Sequence, residues 1–260
     1  MIKNYIKNLD RCRKIMYNMH TMTKTTDGIQ SLERGLDVLR LLAARGAMNS
    51  MAIAAELGIH QSSASRLLKS LRGAGLVRKP TFQSFAVGYG VLHLAGIAME
   101  SFPIVPASVK VCSDLRAGTG CGAAAGTLWE DRIVYFSRVL CNPDTAPVLV
   151  ERSDFPIKES ALGLLLLYRR EPDKLDDRKR RGALHAKVSE MIAKSLDKHG
   201  ILYVENIHTN RFAAAIEFEV DNLPSALIIH SQTLCLPPSE AAKILVDARK
   251  ELLSLCPDHN

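Results

Sequence analysis

The sequence lacks any paired-cysteine motif. Its six cysteines (Cys12, Cys112, Cys121, Cys141, Cys235 and Cys256) form no C-x-x-C pair and no Cys/His ladder. That argues against a zinc module or a disulfide framework and predicts reduced thiols. Long apolar runs are also missing. The longest, such as residues 161–168, are far too short to span a bilayer, so no membrane partner is expected. The basic N-terminal residues Lys3, Lys7, Arg11, Arg13 and Lys14 are followed by no apolar core or cleavage pattern. No secretory signal is expected, and the expected location is cytoplasmic. There is no G-x-S-x-G, no glycine-rich phosphate loop and no H-E-x-x-H, so an enzyme is not expected and no cofactor is called for. His208, Glu217, Glu219, His230 and Cys235 are the residues a metal would need. Their spacing matches no ligand ladder, and strand or surface roles explain them better.

What the chain does have is length and an uneven charge. Its 260 residues, 47% of them hydrophobic, suffice for two domains. Residues 1–100 hold 14 Lys and Arg against 6 Asp and Glu, whereas residues 101–260 hold 20 against 21. The positive excess is confined to the first part, as expected of a nucleic-acid-binding half joined to a neutral half with another task.

Within the basic part, residues 50–72 read S-M-A-I-A-A-E-L-G-I-H-Q-S-S-A-S-R-L-L-K-S-L-R. Ala54, Gly58 and Ala64 have the spacing of a helix-turn-helix, with Ile53, Leu57, Ile59, Leu67, Leu68 and Leu71 apolar around them. Ala54 is small where the second helix crosses, and Gly58 frees the backbone that ends the first. His60, Gln61, Ser62, Ser63, Ser65, Arg66 and Lys69 form a polar, acid-free edge. An ordinary helical hairpin is the competing reading, and that edge argues against it.

The rest follows in order. Residues 1–27 are expected to be a disordered basic arm, or sequence preceding a later start at Met19 or Met22; a role in phosphate contacts is the alternative. Ile29, Leu32, Leu36, Leu39 and Leu42 predict a support helix beginning near Ser31 and Glu33 and ending at Gly46, with Asn49 or Ser50 capping the next. Residues 76–88 predict a β-hairpin, or wing, and residues 89–101 an amphipathic helix stopped by Pro103 and Pro106. A second domain then alternates helices and strands. Helices are expected at 105–117, 159–169, 188–199 and 239–255, the last capped by Ser239. Strands are expected at 120–128, 132–139, 147–150, 212–220 and 225–231, with a turn at Asp221-Asn222. The basic run Arg178-Lys179-Arg180-Arg181 lies beside Asp173, Asp176 and Asp177 and reads as a solvated face. The fold class is α+β.

Several segments resemble the IclR family of bacterial transcriptional regulators. Residues 31–42 (S-L-E-R-G-L-D-V-L-R-L-L) are similar to its opening helix. Residues 64–77 (A-S-R-L-L-K-S-L-R-G-A-G-L-V) match the recognition helix and entry to the wing, and 85–88 (F-A-V-G) the wing's end. Residues 126–139 and 159–167 resemble segments of its second domain, although Leu164 and Leu165 follow Gly163 where the family commonly has Lys and Ala. The resemblance implies a winged helix-turn-helix at 28–88 and a linker helix at 89–104. It also implies a GAF-like α/β effector-binding and oligomerisation domain at 105–260. It implies binding to double-stranded DNA as a repressor or activator, homodimers or homotetramers, and a small organic or aromatic acid as effector.

Gln61, Ser62, Ser63 and Ser65 are the expected base-edge residues, Arg66 is expected to reach guanine or a phosphate with an intramolecular salt bridge as the alternative, and Lys69, Arg78 and Lys79 are the expected phosphate contacts. By residue-wise match the effector site would include Ser160, Ala161, Leu162, Asn210, Phe212, Ile229 and Ser231. Ser160 and Ser231 are candidates for a carboxylate, as are the amides of Ala161 and Leu162 at a helix start. The alternative function is an effector-independent DNA-binding oligomer whose second domain only mediates assembly.

Overall fold

The computed structural model describes residues 28–129, 132–142, 146–153, 156–172, 175 and 188–256. The expected basic arm at 1–27 and the basic run at 178–181 lie outside these. The chain divides into two compact units, residues 1–101 and 102–260, and the helix expected as a linker falls in the first.

The first unit runs α1 (Gln30–Arg45), α2 (Ser50–Leu57), α3 (Gln61–Gly73), β1 (Val77–Arg78), β2 (Ala86–Val87) and α4 (Tyr89–Glu100). Val38, Leu41 and Leu42 of α1 meet Ile53 and Ala54 of α2, Ala64 and Leu68 of α3, and Val77 of β1 in one core. The buried face of α1 differs from the one its apolar spacing suggested. Ile29, Leu32 and Leu36 are exposed, and Gly35, Val38, Leu41 and Leu42 are buried. Nor does Ser31 cap the helix: it begins at Gln30, and Ile29 before it makes no side-chain cap bond. The cap of α2 is Asn49, whose Oδ1 accepts the Ala52 amide at 2.8 Å. Gly58 ends α2 at φ 60° and ψ 33°, a left-handed conformation that glycine adopts without strain. The wing is anchored at both edges. Val77 and Arg78 pair with Val87 and Ala86, and Phe85 exchanges two backbone bonds with Met48, at 2.8 and 2.9 Å. Gly88 closes its base, since a Cβ there would lie 2.2 Å from the Gly75 carbonyl oxygen. Helix α4 is not amphipathic in use: none of its residues is buried, and Leu92, Leu94 and Ile97 are exposed.

The second unit runs α5 (Ile104–Thr119), β3 (Gly122–Trp129), β4 (Arg132–Val139), β5 (Val148–Ser153), a 3-10 turn (Ile157–Glu159), α6 (Ala161–Arg170), α7 (Val188–His199), β6 (Leu202–Ile207), β7 (Asn210–Val220), β8 (Leu223–Ser231) and α8 (Pro238–Ser254). The strands form one six-stranded antiparallel sheet in the order β5-β4-β3-β8-β7-β6. Helices α6 and α7 cover one face, and α5 and α8 the other. Strand β6 is an addition to the sequence reading. Ser239 is not the cap of the last helix, because Pro238 already occupies its first turn and Pro237 precedes it. Asp221 and Asn222 both take positive φ, 52° and 58°, the geometry of a two-residue hairpin.

Candidate nucleic-acid interface and ligand cavity

Helix α3 presents the polar edge. Ala64 and Leu68 are buried, and the helical repeat turns Ser62, Ser65, Arg66 and Lys69 to the opposite side. Those four and Gln61 are exposed, while Ser63 is half-buried on the flank. His60 begins the helix. Its Nδ1 accepts the Ser62 amide at 3.4 Å and lies 2.9 Å from Ser62 Oγ. His60 is therefore a cap rather than part of the reading edge, and the Ser62 hydroxyl is held beside it. The Gln61 amide makes no hydrogen bond and the Arg66 guanidinium no ion pair among the described residues. Among the described residues of this unit, Arg40 pairs with Asp37 and Arg45 with Glu56. On the wing, Arg78 donates from Nε to the Val87 carbonyl at 3.2 Å and lies 5.7 Å from the Tyr89 ring centre. The Lys79 ammonium lies 5.2 Å from the ring centres of both Phe82 and Phe85. No Asp or Glu occurs between Glu56 and Glu100, so this surface carries one sign of charge.

The second unit holds a cavity of about 440 Å³ between the sheet and the start of α6. Ala124, Ala161, Ala213 and Ile228 give it an apolar floor, and Arg138, His208, Asn210, His230 and Gln232 give it polar walls. A β-bulge decides that Arg138 is among them. Ala125 pairs with Ser137 but Gly126 with Tyr135, so Phe136 is an extra residue. The extra residue reverses the alternation, and Tyr135 and Arg138 come to share a face. The guanidinium lies 5.5 Å from the Tyr135 ring centre. His230 stands opposite Gly122, where a Cβ would meet the ring 2.7 Å away. Its Nδ1 is 3.2 Å from Asn210 Oδ1. Burial, with the Arg138 charge nearby, pushes the imidazole down to about 4, so it is neutral at pH 7. His208 Nδ1 faces Glu159 Oε2 at 3.1 Å.

Of the seven residues expected at an effector site, Ser160, Ala161 and Asn210 line this cavity. The other four do not. Leu162 is fully buried in the core around α6. Phe212 pairs with Ser231, and Ile229 with Ala214, on the far side of the sheet. Strand side chains alternate, so the cavity receives Ala213, Ile228 and His230, each one residue along. The two serines are already engaged. Ser160 Oγ accepts the Gly163 amide as the α6 cap, and Ser231 Oγ accepts from the Thr233 and Leu234 amides at 3.3 and 3.1 Å. Leu164 and Leu165, the departures in the α6 segment, are buried core residues. Among the described residues no three His, Cys, Asp or Glu side chains are grouped to hold a metal ion. Glu217 instead binds Arg169 through both carboxylate oxygens, at 2.6 and 2.7 Å.

A family model for the IclR helix-turn-helix domain matches residues 31–80. The first unit carries an IclR-type helix-turn-helix domain. The solved structures agree with this across both units. An IclR-family transcriptional regulator from Brucella abortus superimposes with a TM-score of 0.70 at 16% identity, over 93% of this chain and 97% of that one. An IclR homolog from Microbacterium hydrocarbonoxydans, complexed with 4-hydroxybenzoate, gives 0.68 at 14% identity, over 87% and 99%. The IclR-type fold thus extends through the second unit. Comparison with curated proteins gives no match.

Proposed function

We propose that this chain is a sequence-specific transcriptional regulator whose operator binding is modulated by a small organic acid in the second unit. The observation that carries the DNA reading is the acid-free face of α3 on an IclR-type domain, with Gln61 and Arg66 exposed and uncommitted. A helix end of this kind fits the major groove, where Gln matches adenine N6/N7 and Arg matches guanine O6/N7 or a phosphate. Lys69, Arg78 and Lys79 supply phosphate contacts. One such domain reads few base pairs, so a dimer supplies the second half-site. Exposed Ile29 just before α1, Leu32 and Leu36 on it, and Leu92, Leu94 and Ile97 on α4 favour assembly, since grouped exposed apolar side chains mark interaction surfaces.

The cavity's chemistry supports the effector reading. Arg138 offers a cation and a forked donor set, His230 and Asn210 offer neutral polar groups, and the alanine floor admits a flat apolar body. The 4-hydroxybenzoate of the Microbacterium homolog makes that acid the first probe. An effector acts by binding unequally to the states that hold and release DNA. Thermal denaturation of the full chain with 4-hydroxybenzoate and a panel of mono- and dicarboxylic acids tests this. At least one acid raises the midpoint, by an amount equivalent to about 2.7 kcal/mol at a hundred times its dissociation constant. Arg138→Ala abolishes the rise. A panel in which no acid stabilises the chain would instead support the effector-independent oligomer.

A further inference from the structure

We propose that Phe82, at the tip of the wing, is a wedge that enters the minor groove and partly unstacks one base step of the operator. The inference rests on the DNA-binding reading and adds to it a bend and a second groove.

The hairpin carries two phenylalanines, and they are used differently. Phe85 is half-buried against the core of the first unit, and its backbone is bonded to Met48 in both directions. Phe82 is 90% exposed. Packing therefore does not account for it. The tip that holds it out is pre-set. Pro80 fixes one backbone torsion, and the hydroxyls of Thr81 and Ser84 bond across the loop at 2.6 Å. Lys79 lies over the Phe82 ring, so an ammonium and an apolar ring project together.

That pairing suits a minor groove. B-DNA's minor groove is about 6 Å wide, too narrow for a helix but open to a hairpin tip. Its negative potential favours the acid-free stretch between Glu56 and Glu100. Apolar side chains that enter there insert between base steps and kink the duplex toward the major groove. The cost is least at flexible pyrimidine–purine steps. A tip ordered before binding loses little entropy on docking.

The test uses the full chain to enrich duplexes from a random-sequence pool. Affinity and bend angle are then measured on an enriched duplex and on a scrambled one, with 2-aminopurine placed through the flanking step to report unstacking. Phe82→Ala is expected to weaken binding to the enriched duplex about tenfold or more. It is also expected to lose the bend and the 2-aminopurine signal and to leave the melting temperature unchanged. Phe82→Leu retains most of all three. Binding by Phe82→Ala within about twofold of wild type, with the same bend, overturns the wedge. So does equal weakening on both duplexes with the bend retained. A wild-type chain that enriches no duplex overturns the DNA reading, and the wedge with it.

Discussion

His230 shows how much one residue's setting depends on another. Its ring fits because Gly122 opposite has no side chain, and burial beside Arg138 holds it neutral down to about 4. Its unfolded counterpart takes up a proton near pH 6.5. Between those values the unfolded state binds more protons, so stability is full above about pH 6.5 and falls on acidification toward 4. Between pH 6.5 and 5 the loss is about 2 kcal/mol, and His230→Asn flattens it. Trp129 lies in the second unit and is the chain's single tryptophan. Denaturant titrations followed by its fluorescence at the two pH values check this. A wild-type stability that does not change over that range would contradict the assignment. At this scale the sequence was readable where local rules suffice. Gly58 and Asn49 announce a helix end and a cap through their own chemistry. Arg138 was not readable, because one bulge residue, Phe136, moved it to the other face. Simple alternation places Ser137 beside Tyr135 instead.

Among the elements, α2 and α3 were the most legible, since their spacing encodes both the crossing at Ala54 and the turn at Gly58. Their stability has a separable local part. The Asn49 side chain satisfies one of the first-turn amides of α2. Asn49→Ala is expected to cost about 1 kcal/mol, and Asn49→Ser to restore most of it. Hydrogen exchange of the Ser50–Leu57 amides reads the change directly, as protection lowered by about fivefold. Unchanged protection would show that tertiary packing alone holds the element. The harder elements were those whose meaning is set by a partner. The apolar positions of α1 fit more than one stripe, and only packing against α2, α3 and β1 selects Val38, Leu41 and Leu42 over Leu32 and Leu36. Strand β6 is short and partly polar, and it exists because β7 offers it an edge. Of the positions carried over by resemblance, Phe212, Ile229 and Ser231 lie one residue out of phase with the cavity-lining Ala213, Ile228 and His230, and a period of two puts them on the other face of the sheet.

For the whole molecule, the charge split and the two units agree. The basic surface belongs to the unit with the IclR-type domain, and the neutral unit carries the cavity. Counterion release alone would make the first unit bind any duplex, with an affinity that falls steeply with salt. Sequence reading by α3 requires more: a large preference that survives at physiological salt. The most direct measurement is the full chain's affinity for an enriched duplex and for its scrambled counterpart, at physiological ionic strength. The account predicts a preference of about a thousandfold or more for the enriched duplex. It also predicts that Gln61→Ala reduces that ratio by about tenfold, with little effect on the scrambled duplex. Equal affinity for the two, differing only in salt dependence, would contradict it.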